Sequence, residues 1–142
     1  MGSFGDRSKS NLITCDMRLQ QVFNRVILSF DCAILCGYRG QKEQDEAFAK
    51  GLSKLKYPEG KHNHTPSKAV DVMPYPIHWP GEEKDFVLSQ ADRDRIFLFA
   101  GFVLATAKSL GVRLRWGGDW NGNLDLRDES SFRDLPHFEL VD

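Results

Sequence analysis

Three stretches of the chain have the residue pattern of a helix. In residues 15–30, CDMRLQQVFNRVILSF, the apolar positions recur at 3.6-residue spacing: Leu19, Val22, Phe23, Val26 and Ile27. Thr14 or Asp16 is expected to cap this helix. The polar stretch QKEQDEAFAKG, residues 41–51, predicts a short second helix that ends at Gly51.

The third stretch, residues 89–111, carries the strongest helical signal. Ser89 and Asp92 have the spacing of a capping box, and Gly111 is suited to end the helix. Residues 96–107 are apolar on nearly all sides, which predicts a helix buried at the centre of the fold.

Four short apolar runs predict strands: CAILCGYR at 32–39, AVDVM at 69–73, VRLRW at 112–116 and HFELV at 137–141. Cys32, Ile34 and Cys36 alternate along the first run, so we expect them on one buried face. Helices and strands mix without a βαβ rhythm, which indicates one α+β domain, residues 1–142, with a short antiparallel sheet. The irregular regions 52–68 and 117–135 are long enough to suggest function.

Composition narrows the class of protein. The 142 residues carry 19 basic and 20 acidic side chains, a net charge of −1 that gives no sign of nucleic acid or anionic membrane as partner. The three cysteines form no CxxC pair, which fits a reducing compartment. The N-terminus lacks the apolar segment of a signal peptide, and no run is long enough to span a membrane. We expect a soluble monomer.

The stretch HNHTPSKAVDVMPYP, residues 62–76, introduces candidate chemistry. His64, Asp71 and the later His137 offer two imidazoles and a carboxylate, a set that suits a catalytic zinc with one position left for water. If the last strand pairs beside AVDVM, the three residues meet. A histidine and an aspartate at the spacing of His64 and Asp71 are more often two surface residues, and the same holds for Asp134 and His137. Both pairs, however, lie where an irregular region meets a strand, which favours a metal site.

Two further residues fit a hydrolytic site. Asp134, three positions before His137, is placed to act as a general base. Arg39, at the end of a predicted strand, can stabilise an oxyanion with its fixed charge and rigid donors. Trp116 is either a core residue or a wall of the substrate cleft. His62 is either a surface residue or part of the cleft lining.

The glycine-rich loop raises a second metal hypothesis. Its side-chain oxygens alternate as in a calcium loop, at Asp119, Asn121, Asn123 and Asp125. The sixth position is Leu124 instead of glycine, and the twelfth is Ser130 instead of glutamate. An ordinary turn-rich surface loop is therefore the favoured interpretation.

At these residues the chain resembles the zinc D,D-carboxypeptidase and L-alanyl-D-glutamate peptidase family, which includes phage endolysins. The family signature Ser-x-His-x-x-Gly-x-Ala-x-Asp falls on residues 62–71 and matches at His64, Ala69 and Asp71. The second signature, an acidic residue followed by x-x-His, falls on Asp134 and His137. KAVDVMPYPIHW and RWGGDW also look like the phage branch, so the resemblance covers nearly the whole chain.

The resemblance implies a fold of the hedgehog/D,D-peptidase type with one zinc ion in a cleft. The ligands would be His64, Asp71 and His137, with Asp134 as the base and Arg39 as the transition-state arginine. The implied substrate is the stem peptide of bacterial peptidoglycan, cut between L-alanine and D-glutamate. The implied role is that of an endolysin held in the host cytoplasm until lysis gives it access to the cell wall.

Two alternatives remain open. One is a D-alanyl-D-alanine carboxypeptidase or dipeptidase on the same scaffold. The other is a non-catalytic zinc-binding module. The ligand set is similar to that of hedgehog-type domains, in which it serves partner binding. An intact Asp134 and Arg39 favour an enzyme, because a binding module needs neither a base nor an oxyanion partner.

Overall fold

The computed structural model describes residues 2–77, 87–128 and 133–142. Its helices are α1 (Asp6–Leu12), α2 (Met17–Val26), α3 (Gln41–Ala49) and α4 (Gln90–Ser109). The strands are β1 (Cys32–Cys36), β2 (Ala69–Pro74), β3 (Leu114–Trp116) and β4 (His137–Leu140). Short 3₁₀ turns lie at Lys61–Asn63 and Leu126–Asp128. The predicted α+β class is confirmed.

The four strands form one antiparallel sheet in the order β1-β2-β4-β3. β4 lies between β2 and β3, so the last strand in the sequence is one of the two central strands of the sheet. Asp71 pairs directly with His137 in this register. The expectation that the last strand lies beside AVDVM is therefore confirmed.

The hydrophobic core lies between one face of the sheet and the helices α2 and α4. The ring of Phe138 from β4 meets Phe23 of α2 edge-on at 5.6 Å and Phe99 of α4 at 6.3 Å between ring centroids. All three are fully buried, and each contributes about 1.5–3 kcal/mol through burial of its side chain. Because side chains alternate along a strand, His137 and Glu139 lie on the face away from this core.

Helix ends follow the predicted signals. The Asp16 side chain accepts a hydrogen bond from the Arg18 backbone N–H, and Ser89 accepts one from Asp92. Gly51 and Gly111, which follow α3 and α4, have φ of 74° and 73°, a backbone conformation that favours glycine. None of the helices in the described ranges combines the length and apolar character that a membrane span requires.

Two expectations about the elements need correction, and one helix was not predicted. That helix is α1, residues 6–12. Helix α4 is not buried on all sides, since Leu98 is 67% exposed while Ile96 and Phe99 on the core-facing side are 1% exposed. Cys36 is only half-buried, because the pairing of β1 with β2 is irregular between Ile34 and Cys36 and ends the regular alternation of buried positions.

Candidate metal centre and cleft

Two strands supply the first two members of the site. Asp71 in β2 and His137 in β4 are opposite each other in the sheet, on the face away from the helices. His137 Nδ1 lies 3.4 Å from Asp71 Oδ1. Both side chains are largely enclosed, with exposed fractions of 10% for His137 and 16% for Asp71.

The third member is His62, which comes from the 3₁₀ turn Lys61–Asn63. Its Nε2 lies 3.1 Å from Asp71 Oδ1, and its Nδ1 lies 2.7 Å from the carbonyl oxygen of Gly37. The Arg39 backbone N–H donates to the carbonyl of His62 at 2.8 Å, which fixes the turn against the end of β1. Because the Gly37 carbonyl can only accept, Nδ1 carries a proton. Nε2 faces Asp71 and is the nitrogen that can bind a metal once it has lost its own proton.

His62, Asp71 and His137 each offer one ligand atom, and these atoms lie within 4.8 Å of one another. This buried group can hold a metal ion. Two imidazole nitrogens and one carboxylate oxygen are the donor set of open catalytic zinc sites.

The expected ligand His64 does not belong to this group. It lies exposed with Thr65 and Pro66 at the tip of a loop. The Lys68 N–H donates to the Lys61 carbonyl at 3.0 Å and closes that loop, which brings position 62 to the start of β2. The signature histidine is seven positions before its aspartate, whereas His62 is nine positions before Asp71. The structure therefore places next to Asp71 the histidine that lies two positions before the one in the signature.

The three side chains form a strongly coupled charge cluster. Burial lowers the pKa of His62, but the negative charge of Asp71 and a hydrogen bond to it outweigh burial and raise the pKa to about 10. Burial also lowers the pKa of His137, and hydrogen bonds to Asp71 and Glu139 raise it to about 9. Burial raises the pKa of Asp71, and the two histidines reverse this and hold it well below its usual range. Without metal, protons on the histidines neutralise the buried carboxylate.

Arg39, three positions beyond the end of β1, lies at the edge of this cluster. Its Nη2 is 3.3 Å from Asp71 Oδ2, and its Nη1 donates to Gln44 Oε1 at 3.2 Å. Gln44 is 1% exposed, and its amide donates to Ser53 Oγ and to the carbonyl of Leu55. The guanidinium is therefore held from two sides and is prepared to meet negative charge.

Asp134 also reaches the cluster. Its Oδ2 is 3.8 Å from His137 Nδ1, and its side chain is 30% exposed. Burial, followed by the charge of Asp71, raises the pKa of Asp134 to about 6. A carboxylate with this pKa can accept a proton near neutral pH and release it again.

A cavity of about 360 Å³ opens over the group, and Arg39, Asp134, His62 and His137 contribute to its lining. Trp120 forms part of the wall, with its ring 5.6 Å from the His137 ring between centroids. Residues 52–55 also line the cavity.

Trp116 is a core residue and not a wall of the cleft. It is 4% exposed, its Nε1 donates to the Leu135 carbonyl at 2.7 Å, and its ring meets Phe97 edge-on at 5.6 Å. Position 116 belongs to β3, which turns this ring towards α4. The neighbouring loop turns Trp120 to the cleft instead.

In the loop for which calcium was the less favoured hypothesis, side-chain oxygens accept hydrogen bonds from backbone N–H groups of the same loop. Asp119 Oδ2 accepts from the Leu124 N–H, Asn121 Oδ1 from Asn123, and Asn123 Oδ1 from Asp125. Ser130, the twelfth position, lies outside the described residues. These internal hydrogen bonds favour the turn-rich surface loop.

Several residues that the structure places at the site carry little signal in the sequence. Gln44 gave no signal, since it is a polar residue in a polar helix. Glu139 alternates with Phe138 in β4, so the two-residue period could have placed it beside His137. Trp120 lies in an irregular loop, where no residue pattern predicts the direction of its side chain.

The chain is similar to known proteins over nearly its whole length. A family model described as "Phage L-alanyl-D-glutamate peptidase" matches residues 1–141. Over 145 residues the chain is 35% identical to the L-alanyl-D-glutamate peptidase of Escherichia phage T5, and the match covers 97% of each chain. The L-Ala D-Glu endopeptidase ChiX of Serratia marcescens has a similar structure, with a TM-score of 0.69 and 24% identity over 97% of this chain and 89% of that one. This structural likeness shows the fold.

Proposed function

The chain belongs to the phage L-alanyl-D-glutamate peptidase family, and from this premise we propose that it hydrolyses the L-alanyl-D-glutamate bond of peptidoglycan stem peptides. The observation that carries the proposal is the meeting of His62, Asp71 and His137 at a cleft that also holds Asp134. A metal-ligand set beside a carboxylate of raised pKa is the arrangement that metal-assisted peptide hydrolysis needs.

The donor set fits one zinc ion per chain. His62 Nε2 and His137 Nδ1 present nitrogen, Asp71 presents oxygen, and the remaining nitrogen of each histidine has its own acceptor. Zinc, when bound, would act as a Lewis acid and favour ionisation of water at the site.

The protein's own side chains would transfer the proton and stabilise the developing charge. Asp134 would take a proton from the attacking water while the water oxygen forms a bond to the L-alanyl carbonyl carbon. The same carboxyl would pass that proton to the D-glutamate nitrogen as the carbon–nitrogen bond breaks. Arg39 would stabilise the negative charge that develops on the carbonyl oxygen in the tetrahedral state. The products are a free L-alanyl carboxylate and a peptide that begins with D-glutamate.

The biological role we propose is that of an endolysin. Sequence similarity to a peptidase of a bacteriophage supports this role. The protein would remain in the host cytoplasm as a monomer and act on the wall once lysis begins. Trp120 and residues 52–55, which line the cavity, would contact the stem peptide.

A digest of purified peptidoglycan tests the function. The protein would be incubated with peptidoglycan, with and without a zinc chelator, and the fragments identified by mass spectrometry. We expect peptides that begin with D-glutamate, and only in the absence of chelator. Release of terminal D-alanine alone would assign a carboxypeptidase instead. Absence of any cleavage by a zinc-loaded protein would favour a binding module.

A further inference from the structure

Glu139 contacts the side of His137 that faces away from the metal group. Its Oε1 lies 2.8 Å from His137 Nε2, whereas His137 Nδ1 lies 3.4 Å from Asp71. The two nitrogens of the ring therefore have different partners. A carboxylate can only accept a hydrogen bond, so the contact requires a proton on Nε2.

Two cations hold the Glu139 carboxylate in place. Arg115 Nη2 lies 3.2 Å from its Oε2, and Lys61 Nζ lies 3.6 Å from the same oxygen. Arg115 is the direct partner of Glu139 in the pairing of β3 with β4. The Glu139 side chain is 12% exposed, so its carboxylate is largely enclosed. Its second oxygen remains available to the histidine.

We propose that Glu139 is a positioning residue for the metal centre, which fixes the tautomer and orientation of His137 so that Nδ1 presents its lone pair to the ion. The inference rests on the metal site of the proposed function and adds a residue to it. Hydrogen bonds of this kind set the ring orientation of a ligating histidine and increase its basicity.

The same carboxylate links the two histidines. Lys61 precedes His62 in the 3₁₀ turn, and its ammonium also donates to the carbonyl of Leu140 in β4. The ion pair of Lys61 with Glu139 therefore ties the turn that carries His62 to the strand that carries His137. A change at Glu139 reaches both nitrogen ligands.

The test compares two substitutions of similar size. Glu139→Gln keeps an oxygen acceptor for His137 Nε2 and loses the charge, whereas Glu139→Met loses both. Comparison of the two variants therefore isolates the acceptor from the ion pairs. Asp142→Asn is the control for charge, since Asp142 pairs with Lys68 and Arg18. Each metal-free protein would be titrated with zinc against a competing chelator, without substrate.

We expect Glu139→Met to bind zinc about 10- to 100-fold more weakly than the original protein. Glu139→Gln should recover most of the affinity, and Asp142→Asn should match the original. A folded Glu139→Met protein with unchanged affinity would overturn the proposal, as would a Gln variant as weak as the Met variant. If the original protein binds no zinc, the proposed function fails with it.

A second measurement does not depend on the variants folding. In the zinc-loaded original protein, ¹⁵N chemical shifts of the histidine rings report which nitrogen carries a proton. We expect His137 to be protonated at Nε2 and metal-bound at Nδ1. The reverse assignment would overturn the role of Glu139 and leave the peptidase function standing.

Discussion

His62 Nε2 lies 3.1 Å from Asp71 Oδ1, although a histidine closer in sequence, His64, stands exposed in the loop between them. The choice between the two histidines is made by the loop that the Lys68–Lys61 backbone hydrogen bond closes. This relationship distinguishes His62, the proposed ligand, from His64, and it can be tested by the same substitution at both positions.

His62→Gln should abolish zinc binding, because glutamine cannot replace an imidazole nitrogen as a ligand. Zinc content measured by mass spectrometry should fall from about one ion per chain to near zero, and turnover should fall with it. His64→Gln is the matched control and should retain both metal and activity. Loss of zinc in the His64 variant, with retention in the His62 variant, would return the ligand to the position that the signature assigned.

Residue patterns predicted the regular elements and one of the contacts at the site. The apolar periods of α2 and α4 and the runs of β2 and β4 follow from local chemistry, since each buries one regular face. The meeting of Asp71 with His137 followed from a single pairing of strands. Position 62 could not be predicted in this way, because an irregular loop has no period and its path depends on distant contacts such as Gly37 with His62.

Trp116 and Trp120 illustrate the same limit. Four positions separate two residues of the same type, and either could line a cleft as far as composition is concerned. The end of β3 at Trp116 decides between them. The Trp116 ring, still in the strand, faces the core, whereas Trp120 lies in the loop that follows and contacts His137. The exact end of a short strand is the feature that sequence patterns predict least well.

Asp134→Asn should leave zinc in place and remove most of the turnover. Asparagine has the same shape but cannot take the proton from water, so we expect kcat/KM to fall by about 10²- to 10⁴-fold. The measurement is a parallel assay of zinc content and of peptide release from peptidoglycan. Asp125→Asn, in the exposed loop, is the control and should have the activity of the original protein. Full activity of Asp134→Asn would show that another group is the base.

Zinc binding should release protons at neutral pH. In the metal-free protein the pKa values of His62 and His137, about 10 and about 9, keep both rings protonated at pH 7. Since a ligating nitrogen must lose its proton, we expect about two protons to leave per zinc ion. Calorimetric titrations in two buffers of different ionisation enthalpy measure this number. Equal heats in both buffers would mean that the rings are already neutral.

The same pKa shifts predict how stability of the metal-free protein changes with pH. Both values are raised above 6.5, so protonated His62 and His137 stabilise the folded state next to Asp71. This contribution is fully present below about pH 6.5 and is lost as the pH rises through 9 to 10. Thermal unfolding of the metal-free protein across this window measures it. A melting temperature that rises between pH 7 and pH 10 would contradict the assignment.

Gly117 sets the position of the segment that carries Asp134. Its N–H donates to the His137 carbonyl at 2.8 Å, and its own carbonyl accepts from the Asp134 N–H at 2.9 Å. A Cβ at position 117 would collide with the backbone carbonyl of Asp134. Because backbone on both sides is fixed by these hydrogen bonds, Gly117→Ala should lower the free energy of unfolding by about 1–3 kcal/mol.

Gly101→Ala is the matched control for Gly117→Ala, because a Cβ at Gly101 in α4 meets nothing within 4 Å. Alanine in a helix should raise the free energy of unfolding by about 0.5–1 kcal/mol there. Gly117→Ala should also lower kcat more than it raises KM, because displaced Asp134 acts in the proton transfer and not in binding. Denaturant unfolding and steady-state kinetics measure the two effects. If both alanine variants were equally stable and active, the close approach at Gly117 would have no part in placing Asp134.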